Sequence, residues 1–114
     1  MKKNILDKNS IMLTIIIPVY NESNSIRILL KKLIKIKKIK KEIIVVDDGS
    51  NDGTSKILKK EFLKKNSIKR IIFHKKNMGK GAAIKSAQKF INGRYVGIQD
   101  ADLEYNPNDL VKIY

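Results

Sequence analysis

Ile11-Met12-Leu13-Thr14-Ile15-Ile16-Ile17-Pro18-Val19, followed at once by Tyr20-Asn21-Glu22, decides the fold. An almost wholly apolar run rich in β-branched side chains reads as a strand with no polar face to turn to water, hence one buried on both sides. Three further runs, Glu42 to Asp47, Ile68 to His74 and Tyr95 to Gln99, have the same character. Between them the apolar period lengthens. Ile26, Leu29, Leu30, Leu33 and Ile34 make one helical stripe, Ile57, Leu58 and Phe62 a second, and Ala83, Ala87, Phe90 and Ile91 a third. Ser23 or Asn24 is expected to cap the first helix and Thr54 the second, with Asn92-Gly93 ending the third. Strand and helix alternating at short spacing predict parallel β-α-β units with right-handed crossovers, and so an α/β sheet with helices on both faces.

The 114 residues allow one domain, here a polar tail at 1–10 followed by the domain proper at 11–114. The chain has no cysteine, which removes disulfides, thiolate metal ligands and cysteine nucleophiles. No apolar run approaches the roughly 20 residues that span a bilayer, and no signal peptide is visible. Lysine and arginine number 25 against 11 acids, a formal net charge of +14. Such a balance raises nucleic acid as a partner. The excess is lysine, however, with arginine only at Arg27, Arg70 and Arg94, and lysine is the poorer tool for bidentate recognition of phosphates or bases. A solvated basic surface with weak attraction to anionic headgroups accounts for it better.

In parallel sheets ligands bind outside the carboxyl ends of the strands, so the loops there carry the functional reading. After the first strand, Pro18 fixes the exit, and Asn21 and Glu22 are acceptors for a base or sugar. After the second, Asp47-Asp48-Gly49-Ser50-Asn51-Asp52-Gly53 combines tight-turn glycines with carboxylates able to take ribose hydroxyls or base N–H groups. After the third, Asn77-Met78-Gly79-Lys80-Gly81 opens a helix whose N–H groups and dipole, with Lys80, favour an anion such as a diphosphate. It is neither a Walker loop nor the dinucleotide fingerprint, whose third glycine is Ile84 here. After the fourth comes Gln99-Asp100-Ala101-Asp102-Leu103-Glu104. In extended chain Asp100 and Asp102 face the same way. At roughly 4 Å and an effective dielectric of about 20 they repel by roughly 4 kcal/mol, which Mg²⁺ or Mn²⁺ would relieve. Hydrolases with an Asp-x-Asp nucleophile pair carry it at the first strand and are excluded by position. His74, the only histidine, shows no partner in the sequence and reads as structural.

Taken in order, Pro18-Val19-Tyr20-Asn21-Glu22, Val46-Asp47-Asp48-Gly49-Ser50, Asn77-x-Gly79-Lys80-Gly81 and Gln99-Asp100-Ala101-Asp102-Leu103-Glu104-Tyr105 resemble the start of family 2 glycosyltransferases of GT-A fold, nearest the dolichol- or polyprenyl-phosphate mannosyltransferases. The resemblance implies a Rossmann-like nucleotide-sugar-binding sheet and transfer of a hexose, mannose or glucose, with inversion from a GDP- or UDP-sugar to a polyprenyl or dolichyl phosphate. It implies that Pro18, Tyr20, Glu22, Asp48 and Lys80 bind the nucleotide sugar. Asp100 and Asp102 are then the catalytic carboxylates, Asp100 on the ribose and Asp102 with Glu104 on a divalent cation. A cytoplasmic protein, peripheral at the cytoplasmic membrane face, is expected.

The likeness covers the donor-binding part, with the chain ending soon after the Asp-x-Asp cluster. Asn106-Pro107 is expected to open one more helix bearing Leu110, Ile113 and Tyr114. The fourth strand would then be an open edge, which predicts marginal stability, self-association or a completing polypeptide. The alternatives are a nucleotide-sugar-binding module without turnover and a basic nucleic-acid-binding domain.

Overall fold

The structure, a computed structural model, describes residues 11–102. The tail at 1–10, Glu104 and the helix expected from Asn106-Pro107 lie outside the described residues. Strands β1 (Leu13–Val19), β2 (Lys41–Asp47), β3 (Ile68–Phe73) and β4 (Tyr95–Ile98) form one sheet. Helix α1 (Ile26–Lys35) joins β1 to β2. Helix α2 (Thr54–Ile57), continued by a π-helical stretch at Leu58–Phe62, joins β2 to β3, and α3 (Lys80–Gln88) joins β3 to β4. Every pairing is parallel and the order is β3-β2-β1-β4.

That order explains the layers. The chain steps outward from β1 to β2 to β3 in one direction, then returns to the far side of β1. Crossovers of one hand place helices on one face while the direction holds and on the other when it reverses. Accordingly α1 and α2 cover one face, where Leu13, Ile15, Ile17 and Val19 of β1 and Ile43 and Val45 of β2 meet Leu29, Leu30, Leu33 and Phe62. Ile16, Ile44 and Val46 point the other way, against Ala83 and Ala87 of α3. The period-two alternation of a strand does this sorting.

Three predicted boundaries differ. Ser25, rather than Ser23 or Asn24, precedes α1, and its hydroxyl turns to the Ala101 carbonyl and Glu22. Gly53, at φ 103°, precedes α2, and Thr54 is the first helical residue, its N–H and hydroxyl both donated to Asp52 Oδ1. Helix α3 ends at Gln88, short of Asn92-Gly93. Those two residues serve a buried carboxylate instead. Glu42 accepts from the Thr14 hydroxyl (2.6 Å), the Asn92 N–H (2.7 Å) and Asn92 Nδ2 (3.2 Å), while the Gly93 N–H donates to Thr14 Oγ1. An unpaired carboxylate here would be prohibitive; paired, it ties the α3–β4 loop to the amino ends of β1 and β2.

A Cβ at Gly93 would stand 2.6 Å from both the Thr14 nitrogen and Oγ1. Gly93→Ala is therefore expected to destabilise the domain by about 1–3 kcal/mol, read from the urea midpoint. Among the described residues β4 is an edge of the sheet, with Tyr95, Val96 and Ile98 56%, 48% and 41% exposed. Concentration-dependent association is expected by analytical ultracentrifugation, with Val96→Lys weakening it, as charge on a strand edge does.

Candidate functional site

β1 and β4 are neighbours although they stand at opposite ends of the described chain, so the topological switch, and the crevice that goes with it, lies between their carboxyl ends. β4 pairs as far as Ile98 with Ile16, which sets the residues after it beside Pro18 to Tyr20 at the end of β1. A cavity of about 250 Å³ opens there. Pro18, Tyr20, Glu22, Asp48, Lys80, Asp100 and Asp102 all line it, joined by Val19, Asn77, Gly79 and Ala101. Every described residue named from the sequence for the nucleotide sugar or for the catalytic carboxylates is thus on one wall or another. Glu104 lies outside the described residues.

Ala101 sets the two acids. Its side chain is 4% exposed and belongs to the core under α1, and its carbonyl receives the Ser25 hydroxyl at 2.8 Å. With the middle residue held inward, Asp100 and Asp102 both border the cavity. Lys80 Nζ stands 2.6 Å from Asp100 Oδ1, a half-exposed ion pair that answers part of the local negative charge.

Asp48 is the most constrained group. It is 3% exposed, and its carboxylate receives His74 Nδ1 at 2.8 Å and the Met78 N–H at 2.9 Å on Oδ1, and the Gly79 N–H at 2.8 Å on Oδ2. Burial pushes its pKa up, but the His74 hydrogen bond and the two backbone N–H groups outweigh that and hold it below the usual carboxylate range. The N–H groups at the start of α3, expected to face a diphosphate, therefore already hold an anion in part, and it is Asp48. His74, read from the sequence as lacking a partner, has two: its Nε2 lies 2.8 Å from Ser86 Oγ.

Other acids of the second loop are also engaged in hydrogen bonds within the loops. Asp47 takes the Ser50 N–H and the Ser55 hydroxyl. Asp52 takes Thr54 and the Ser23 N–H. Asn21, at φ 53°, exchanges hydrogen bonds with the same loop, giving its N–H to Ser50 and accepting from the Asn51 N–H. These residues clasp the first two strand-end loops together and leave the cavity to Glu22 and Asp48. Among the described residues no three His, Asp and Glu side chains cluster as metal ligands, and no helix is long and apolar enough to cross a membrane.

The family model described as glycosyl transferase family 2 matches residues 14–114. The chain belongs to glycosyl transferase family 2. Among relatives of this family, the dolichyl-phosphate beta-glucosyltransferase of Saccharomyces cerevisiae is 36% identical over 94% of this chain and 34% of its own length. The undecaprenyl-phosphate 4-deoxy-4-formamido-L-arabinose transferase of Edwardsiella ictaluri is 33% identical over 88% and 32%. The chain thus spans about a third of the length of these relatives. Of solved structures, the mannosyltransferase of Pyrobaculum calidifontis in complex with GDP-Man and Mn²⁺ superposes with a TM-score of 0.70 at 28% identity, over 82% of this chain and 28% of that one. TarS 1-349 of S. aureus in complex with UDP gives 0.72 at 29% identity, over 90% and 31%. The sheet has the GT-A fold of family 2.

Burial pushes the Asp52 pKa up as well, yet the Thr54 and Ser23 donors bring it down to about 2. A carboxylate held lower folded than unfolded adds stability that is complete above its ordinary value, near about 4, and disappears as pH falls through the folded value. Thermal midpoints should therefore hold from about pH 7 to 5 and drop between about pH 4 and 2. Asp52→Asn should flatten part of that slope, a modest part because Asp52 is exposed to solvent.

Proposed function

We propose that this chain is the donor-binding part of an inverting glycosyltransferase that moves a hexose, mannose or glucose, from a nucleotide diphosphate sugar to a polyprenyl phosphate. The observation that carries the reading is the convergence of Pro18, Tyr20, Glu22, Asp48, Lys80, Asp100 and Asp102, from segments at the carboxyl ends of all four strands, on a single cavity at the switch point. The relatives' names supply the acceptor class and glucose, and the solved mannosyltransferase complex supplies GDP-mannose and Mn²⁺.

In this reading Pro18 and Tyr20 pack against the base and ribose, and Glu22 accepts from sugar hydroxyls. Asp48 has roughly four acceptor positions on its carboxylate, three of them occupied, which leaves one on Oδ2 for a base N–H. Asp100 takes the ribose, and Asp102 with Glu104 holds a divalent cation. Asp100 and Asp102 are hard oxygen donors on one cavity wall, a set that fits Mg²⁺ or Mn²⁺. Such an ion, when bound, neutralises charge growing on the leaving nucleoside diphosphate. Lys80, on the facing wall and paired with Asp100, exchanges that partner for a donor phosphate oxygen in this reading, adding a second positive charge where the bond breaks. A lipid phosphate acceptor is already anionic and needs little help from a base.

The test is isothermal titration of GDP, UDP and their mannose and glucose conjugates, with Mn²⁺ and then EDTA, against the chain and Asp102→Ala. Metal-dependent binding, weakened at least roughly tenfold by the substitution, is the expected result. Binding indifferent to EDTA and to Asp102→Ala would reject the site. Steeply salt-dependent binding of DNA or RNA without nucleotide binding would favour a polyanion surface instead.

A further inference from the structure

The loop that follows β3 forms one wall of the cavity through Asn77, Gly79 and Lys80. Little apolar burial holds it there, since Lys75, Lys76, Asn77 and Met78 are all exposed. What holds it is Asp48-Gly49. The Met78 and Gly79 N–H groups grip the Asp48 carboxylate, Asn77 Nδ2 reaches the Asp48 carbonyl at 3.3 Å, and Lys76-Asn77 lies so close over Gly49 that a Cβ there would stand 2.4 Å from the Lys76 carbonyl carbon. The one side chain hydrogen-bonded to that carboxylate among the described residues is His74.

An ionised carboxylate accepts and never donates, so the His74 nitrogen facing it, Nδ1, carries the proton. In the neutral ring Nε2 then accepts from the Ser86 hydroxyl, one turn and a half along α3. The imidazole is 10% exposed and is held from both sides. Ser86 anchors the ring to α3, the ring orients Asp48, and Asp48 draws in the N–H groups that precede the same helix.

We propose that His74 is a positioning residue of the donor cavity: clasped between Ser86 and Asp48, it orients the Asp48 carboxylate that holds the Asn77–Lys80 wall against Gly49. It touches neither donor nor cation. The proposal rests on the donor-site reading for its consequence, though the clasp itself is a property of the chain without ligand.

Two substitutions separate the links. An asparagine amide overlays Nδ1 of histidine, so His74→Asn keeps the donation to Asp48 and loses Ser86. A glutamine amide overlays Nε2, so His74→Gln keeps Ser86 and leaves Asp48 unoriented. The readouts are amide hydrogen exchange at Met78 and Gly79 in the ligand-free chain, the thermal midpoint, and titration with GDP and UDP in Mn²⁺. The expected result is faster exchange at Met78 and Gly79 and roughly tenfold weaker nucleotide binding in His74→Gln, with both restored to within roughly threefold in His74→Asn. Equal losses in the two variants, following the thermal midpoint, would reduce His74 to packing and overturn the proposal, as would unchanged exchange in His74→Gln. If His74→Gln opens the loop while the unsubstituted chain binds no nucleotide, the clasp stands and the donor-site reading alone falls.

Discussion

A carboxylate that must be buried and ionised at the end of β2 organises the site. The alternation along β2 sends Asp47 to the face of α1 and α2, where Ser50 and Ser55 meet it, and Asp48 toward α3. Taking a charge out of water costs several kcal/mol unless hydrogen bonds replace the lost solvation. For Asp48 the replacements come from His74, Met78 and Gly79, residues distant in sequence, so satisfying one side chain brings the third strand-end loop against the second. The wall that results carries Asn77, Gly79 and Lys80 to the cavity.

The other wall follows from topology. Because β4 returns beside β1, Ala101 reaches the core under α1 and its carbonyl meets the hydroxyl of Ser25. A small apolar residue between two aspartates is thereby what aims both acids. Lys80 to Asp100 then closes the ring between the walls. At 55% and 39% side-chain exposure the pair contributes little to stability.

How much of this was legible depended on the range of the interaction involved. Strand cores, such as Ile15 to Ile17 and Ile43 to Val46, are written in local hydrophobicity, and their parallel arrangement follows from the helical stripes between them. The strand-end motifs named the cavity residues, because strands of a parallel sheet all deliver their loops to one end. Helix boundaries were less legible: Ser25 looked like one more serine until Ala101 stood opposite it, and Asn92-Gly93 looked like a helix stop until Glu42 and Thr14 stood beneath it. Asp47 and Asp52 were indistinguishable by composition from Asp48, yet they are consumed inside the loops.

By itself, then, the sequence determined the α/β class, the order of the elements and the set of residues at the carboxyl ends of the strands, since each depends on periodicity and on neighbours a few positions away. Only the tertiary structure decided which of those carboxylates face the cavity and which hold loops, and that the lone histidine hydrogen-bonds Asp48. For Asp48 the assignment depends on hydrogen bonds between residues 26 to 31 positions apart, and no local pattern records which distant donor will meet a given carboxylate when water is excluded.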